Sequence, residues 1–195
     1  MERHRSFLII LSVLIFLASG ACLAEEAPQK TLTGIEVLTG FGWSNIKGQS
    51  NYNTVPFSVA FDLDLKKLAQ KINFSPPQLL QFQIEPFIGL ISNPKSNFET
   101  GVNFWLKMGF TPETWKFQPY IKLGAGLDYM TLHLREQGTQ FNFVEYGALG
   151  MHHYFNANTA LTVEGRWRHL SNCGIREPND GINAYFLLTG ISYKY

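Results

Sequence analysis

Apolar side chains recur at every second position through most of this chain. Val55, Phe57, Val59, Phe61, Leu63 and Leu65 are interleaved with Ser58, Ala60, Asp62 and Asp64. Leu80, Phe82, Ile84, Ile88 and Leu90 alternate with Gln81, Gln83 and Glu85. Phe98, Val102, Phe104, Leu106, Met108 and Phe110 alternate with Glu99, Asn103 and Lys107, and Ile121 to Tyr129 repeat the pattern around Lys122 and Asp128. A period of two belongs to extended strands with two chemically different faces, because successive side chains point to opposite sides.

The alternation predicts strands near 33–44, 54–65, 79–91, 97–110, 118–130, 140–155, 158–170 and 182–195. Turn residues separate them, at Lys47–Asn51, Ser92–Lys95, Thr111–Glu113 and Asn156–Asn158. The Lys-rich segment 66–78, ending at Pro76-Pro77, is compatible with a helical turn. Composition decides what the faces meet. Only 16% of residues are charged, against about 25% in soluble domains. Aromatic residues make up 14% and gather at strand ends, as in a membrane girdle. Mean hydropathy is slightly negative, too polar for a bundle of membrane helices. The last strand stops on an aromatic residue, Tyr195, an ending that resembles the assembly signal of bacterial outer-membrane barrels. The expected fold is therefore all-β, an eight-stranded antiparallel transmembrane β-barrel; the competing architecture is a soluble barrel or sandwich with its apolar face turned inward.

The amino terminus reads as a targeting segment. Arg3 and Arg5 precede the apolar run Phe7–Ala18, and small residues up to Ala24 precede Glu25-Glu26. This is the pattern of a cleaved secretory signal over residues 1–24, leaving 25–195 as the barrel domain. Cys173 is then alone, and no internal disulfide staples the domain. The net charge of +1 excludes the basic footprint of nucleic-acid binding.

Chemistry concentrates in one run, from Arg166 to Asn183. His169 and Ser171 are two apart, so on a strand both side chains project from one face, about 6.6–6.8 Å apart along the chain. A serine hydroxyl becomes a useful nucleophile when a neighbouring histidine takes its proton. His-x-Ser alone is a weak signal, but here Asn172-x-Gly174, Pro178-Asn179-Asp180-Gly181 and another strand follow. Parity puts His169 and Ser171 with Leu161, Val163 and Trp167, and Asn183 with Tyr185, Leu187 and Ile191. All three polar side chains therefore have lipid-facing parity, where a polar group is costly without a partner. With both termini in the periplasm, the loop between strands seven and eight opens outward, at the depth of the lipopolysaccharide acyl esters.

The signal-like segment, the eight strands and His169-x-Ser171-Asn172-x-Gly174…Pro178-Asn179-Asp180-Gly181 resemble the lipid A 3-O-deacylase family. The resemblance implies an outer-membrane esterase that removes the 3-position hydroxyacyl chain of lipid A, without a metal or other cofactor. It implies Ser171 as nucleophile and His169 as base, with Asn172, Gly174 and Asn179 around the oxyanion hole. Lipopolysaccharide and membrane lipid are the implied partners; a homodimer is left open. One departure stands out. Where well-known members carry a glutamate to orient the histidine, this chain has Asn183. An amide oxygen can accept the imidazole N–H, but it stabilises the imidazolium less. In a serine-protease triad the acid-to-amide change costs about 10⁴ in turnover. Glu177 and Asp180 are nearby carboxylates that could substitute, and a degenerate structural barrel is the alternative function.

Other signals have plainer readings. His152-His153 are adjacent on a strand and point to opposite faces, so they do not share a metal ion. Gly124-Ala125-Gly126 lacks the third glycine and the context of a nucleotide loop and reads as packing space in a narrow barrel. Arg135 and Arg176 fall in exterior loops, as solvated charges or lipid A phosphate contacts. Arg166 and Arg168 have lumen parity, and Glu85, Glu99 and Glu164 are their expected partners.

Overall fold

The computed structural model describes residues 32–44 and 51–195. The expected signal segment 1–24 and most of the Lys47–Asn51 turn lie outside them. Eight antiparallel strands close into a barrel in sequence order, each paired with its neighbours and β8 paired back to β1. They are β1 (Leu32–Ser44), β2 (Tyr52–Asp64), β3 (Gln78–Asn93), β4 (Asn97–Pro112), β5 (Phe117–Met130), β6 (Phe141–Tyr154), β7 (Thr159–Ser171) and β8 (Ile182–Lys194). All eight expected strands form, with ends shifted by two residues at most. A short helix, α1 (Lys66–Gln70), occupies the segment after β2. The Asp64 carboxylate accepts the Lys66 N–H at 2.8 Å as the chain enters it.

Closure explains why the alternation is so regular. Hydrocarbon offers backbone groups no hydrogen-bond partner, so a membrane sheet must leave no open edge. Once closed, every strand has one face in lipid and one in the lumen. The outer face is mostly apolar: Val55, Phe57, Ile88, Leu90, Leu106, Met108, Leu123 and Leu149 are all exposed. Aromatic side chains ring both ends, Trp43, Phe98, Tyr129, Phe141 and Tyr185 at one and Phe110, Trp115, Phe117, Tyr193 and Tyr195 at the other. The first of these ends, here the upper rim, carries the β1–β2, β3–β4, β5–β6 and β7–β8 loops.

The lumen is filled by charge. Arg166 grips Glu85 through two hydrogen bonds, at 2.6 and 2.7 Å, and also pairs with Glu164. Lys122 lies 2.9 Å from Glu164, Lys107 pairs with Glu36, and Arg168 meets Glu99 at 3.1 Å. These are the arginine partners that parity anticipates. Trp105 lies among the cations, with Lys122 4.6 Å and the Arg166 guanidinium 4.8 Å from its ring centre. Gly124 makes that ring's space, since a Cβ there would come within 2.6 Å of Trp105. His152 is buried in the lumen, 2.8 Å from the Thr162 hydroxyl, while His153 stacks outside on Phe117.

A buried pair is destabilising mainly when half of it is removed. Arg166→Leu would leave Glu85 and Glu164 facing each other with Lys122 as their remaining cation. It should lower unfolding free energy by about 3–5 kcal/mol, read by urea titration in detergent micelles, with Arg166→Lys falling between it and the wild type.

Candidate active site

β7 and β8 build the site by register. His169 is the direct cross-strand partner of Asn183, and both have outward parity near the upper rim. Across the pair, His169 Nδ1 lies 2.8 Å from Asn183 Oδ1. An amide oxygen has no proton to give, so the ring donates through Nδ1–H. That fixes the tautomer and leaves the Nε2 lone pair free, as a general base requires. Asn183 is itself anchored, because the Ser44 hydroxyl donates to its backbone carbonyl at 2.5 Å. Trp167, two residues down the same face, stacks near the imidazole, with ring centres 6.3 Å apart.

Ser171 ends β7 on the same face as His169. No hydrogen bond between its hydroxyl and His169 forms among the described residues. Burial pushes the nearby Cys173 thiol above its ordinary value.

The loop after Ser171 is wound around Asn172, whose side chain is fully buried. Asn172 Nδ2 donates to the Arg176 carbonyl at 2.6 Å and Asn172 Oδ1 accepts the Gly174 N–H at 2.9 Å. The Asn172 N–H donates to Asn179 Oδ1 at 2.9 Å. So Asn172, Gly174 and Asn179 come together, but they hold each other: the Asn172 and Gly174 N–H groups are already engaged. Gly181, with φ of +74°, lies over the imidazole, and a Cβ there would come within 2.6 Å of His169 Cε1. Any side chain would both strain the backbone and displace the ring. A second loop braces the first. The Gly138 N–H donates to the Pro178 carbonyl at 2.7 Å, the Asp180 N–H donates to the Glu136 carbonyl at 3.0 Å, and Gln137 bridges to Asn179. Glu177 and Asp180 are exposed on this loop and neither is bonded to His169.

Two features escaped the sequence reading. Glu145 on β6 is the direct cross-strand partner of His169 on the side away from Asn183. Below it, the outer surface loses its side chains. A Cβ on Gly147 would meet nothing within 4 Å, and one on Gly165 only the Leu149 carbonyl at 4.0 Å. Trp167 is the partner of Gly147 and Leu149 that of Gly165, so a shallow apolar strip descends from His169 along the lipid-facing wall. Both features depend on strand pairing: alternation shows that Glu145 breaks an apolar face, but not what it lies beside.

Comparison with known proteins agrees with the barrel fold. The chain resembles the crystal structure of the outer membrane enzyme PagL at 20% identity and a TM-score of 0.62, covering 80% of this chain and 97% of that one. It also resembles Neisserial surface protein A (NspA) at 12% identity and a TM-score of 0.59, covering 83% and 96%. At such identities these likenesses speak for the fold. No curated protein matches the sequence. The family model described as Lipid A 3-O-deacylase (PagL) matches residues 29–192, nearly the whole chain, and the protein belongs to that family.

Proposed function

We propose that this outer-membrane protein is a lipid A 3-O-deacylase acting as a serine esterase, with Ser171 as nucleophile and His169 as general base. The observation that carries the reading is the 2.8 Å contact between His169 Nδ1 and Asn183 Oδ1 on the lipid-facing wall, beside Ser171. A polar pair facing hydrocarbon is costly, and stability alone would favour Leu or Val at both positions. Residues 1–24 are its export signal in this reading, and the upper rim faces the cell exterior. The site then opens sideways into the lipopolysaccharide leaflet, with the apolar strip at Gly147 and Gly165 receiving an acyl chain.

The chemistry needs one water and no cofactor. Ser171 Oγ turns toward the imidazole and attacks the ester carbonyl carbon while its proton passes to Nε2. Such bonds are often long without substrate and tighten in the complex. The tetrahedral adduct collapses by breaking the bond to the sugar 3-oxygen, which takes the proton from Nε2 and leaves as a hydroxyl. Water then adds to the acyl-Ser171, giving its proton to Nε2. The second collapse breaks the acyl–Oγ bond, returns that proton to Oγ and releases the hydroxy fatty acid. Asn172, Gly174 and Asn179 act as positioning residues that shape the loop against which the oxyanion forms.

Ser171→Ala should abolish 3-position deacylation, read by mass spectrometry of lipid A from cells that assemble the variant in the outer membrane. Equal deacylation by Ser171→Ala and wild type would rule the mechanism out. A folded wild type that never releases fatty acid would instead identify a degenerate barrel. Asn183→Ala should reduce turnover by about 10² or more, because the base loses its orienting partner. Asn183→Glu should preserve or raise turnover, since a carboxylate accepts the same bond and stabilises the imidazolium as well. Fatty-acid release by the purified variants measures both.

A further inference from the structure

Among the described residues, one charged side chain lies on the outer faces of the eight strands, and it is Glu145. Every other Asp, Glu, Lys and Arg of the strands has lumen parity, from Glu36 through Glu85, Lys122 and Arg168 to Lys194. On β6 the outward series reads Phe141, Phe143, Glu145, Gly147, Leu149 and Met151, so a carboxylate stands where the pattern calls for an apolar residue. It is only half-buried and is tied down by no hydrogen bond or ion pair among the described residues. Its register partners are Ala125 on β5 and His169 on β7. Directly opposed residues of an antiparallel pair have Cβ atoms about 4.5–5.5 Å apart. The imidazole is thus flanked by an amide from β8 and a carboxylate from β6.

We propose that Glu145 is a positioning residue for His169, supplying from β6 the negative charge that Asn183 lacks and stabilising the imidazolium that forms as Ser171 is acylated. The proposal rests on the assignment of Ser171 and His169 as the reacting pair. Its logic is electrostatic. Asn183 fixes the tautomer but carries no charge, whereas a free carboxylate beside the ring can approach as the ring becomes cationic. At the edge of hydrocarbon, little solvent intervenes to screen that attraction. Tyr146, Glu164, Arg166 and Arg168 of β6 and β7 face the lumen, and at this rim the other charged or acid–base groups of the elements packed around His169, apart from Tyr185, belong to loops. They are Cys173, Arg176, Glu177 and Asp180 between β7 and β8, and His133, Arg135 and Glu136 between β5 and β6. β8 contributes the uncharged Asn183 and Tyr185.

The test uses full-length protein purified in detergent, with fatty-acid release from lipopolysaccharide followed across pH for wild type, Ser171→Ala, Glu145→Gln and Glu145→Gln/Asn183→Glu. Folding is checked by heat-modifiable migration on gels. Glu145→Gln should lower kcat about tenfold with little change in KM, because the lost stabilisation belongs to the transition state. Losing that negative charge should also move the acidic limb of the kcat/KM profile to lower pH. Asn183→Glu in the same chain should restore both kcat and the limb, the charge now arriving from β8. Wild-type kcat and an unmoved limb in Glu145→Gln would overturn the proposal. So would a loss confined to KM, or a lowered kcat with an unmoved limb that Asn183→Glu does not repair. Should Ser171→Ala retain wild-type activity, the reading of the reacting pair fails first and the role of Glu145 falls with it.

Discussion

The pairing of β8 with β1 governs everything else in this molecule. Until that seam forms, two strands offer unpaired N–H and C=O groups to a solvent that cannot bond them. Once it forms, from Gly34 against Lys194 to Trp43 against Tyr185, no strand can slip without breaking the whole ladder. A slip of one residue would exchange the lipid and lumen faces, putting Arg166 and Glu164 into hydrocarbon. Closure therefore also fixes the position of His169, held between Asn183 on one neighbouring strand and Glu145 on the other.

Charge is distributed to match. Inside, carboxylates and cations neutralise one another at hydrogen-bond distance, and the aromatic faces of Trp105, Tyr120 and Phe186 cover the cations from the side. Such an interior gives rigidity. Outside, polar groups gather at one patch on β6, β7 and β8, close to the rim. The cost of a charged side chain on a barrel's lipid face falls from about 2–4 kcal/mol at the midplane to near zero at the interface. A carboxylate such as Glu145 can be tolerated at that level and would be much harder to accommodate deeper.

Much of this was legible in the sequence, and the limits have physical causes. Alternation found all eight strands because each face has a single solvent, and parity put His169, Ser171 and Asn183 on one wall without knowledge of the register. The helical turn at Lys66–Gln70 was legible only as a departure from alternation. What lies opposite a residue depends on the offset between strands, set by turns such as the ten-residue connection between β5 and β6. Glu145 beside His169 was hidden for that reason. The loop bonds of Asn172 were hidden too: a buried amide in a turn can serve the substrate or the backbone, and only coordinates show that its donors are spent on the Arg176 and Pro178 carbonyls. Ser171 was expected beside its base, yet no hydrogen bond between its hydroxyl and His169 forms among the described residues.

The clasp between the β5–β6 and β7–β8 loops makes the segment after Ser171 a suspended span rather than a free arch. It is fixed at one end by β7, at the other by β8, and in the middle by the backbone of Glu136 and Gly138. Lengthening or cutting the β5–β6 loop removes the middle support although no residue of that loop belongs to the reacting pair. The β5–β6 loop therefore has little freedom to diverge in length, while the β3–β4 turn, which makes no such clasp with the span among the described residues, can be remodelled or used to carry an inserted tag.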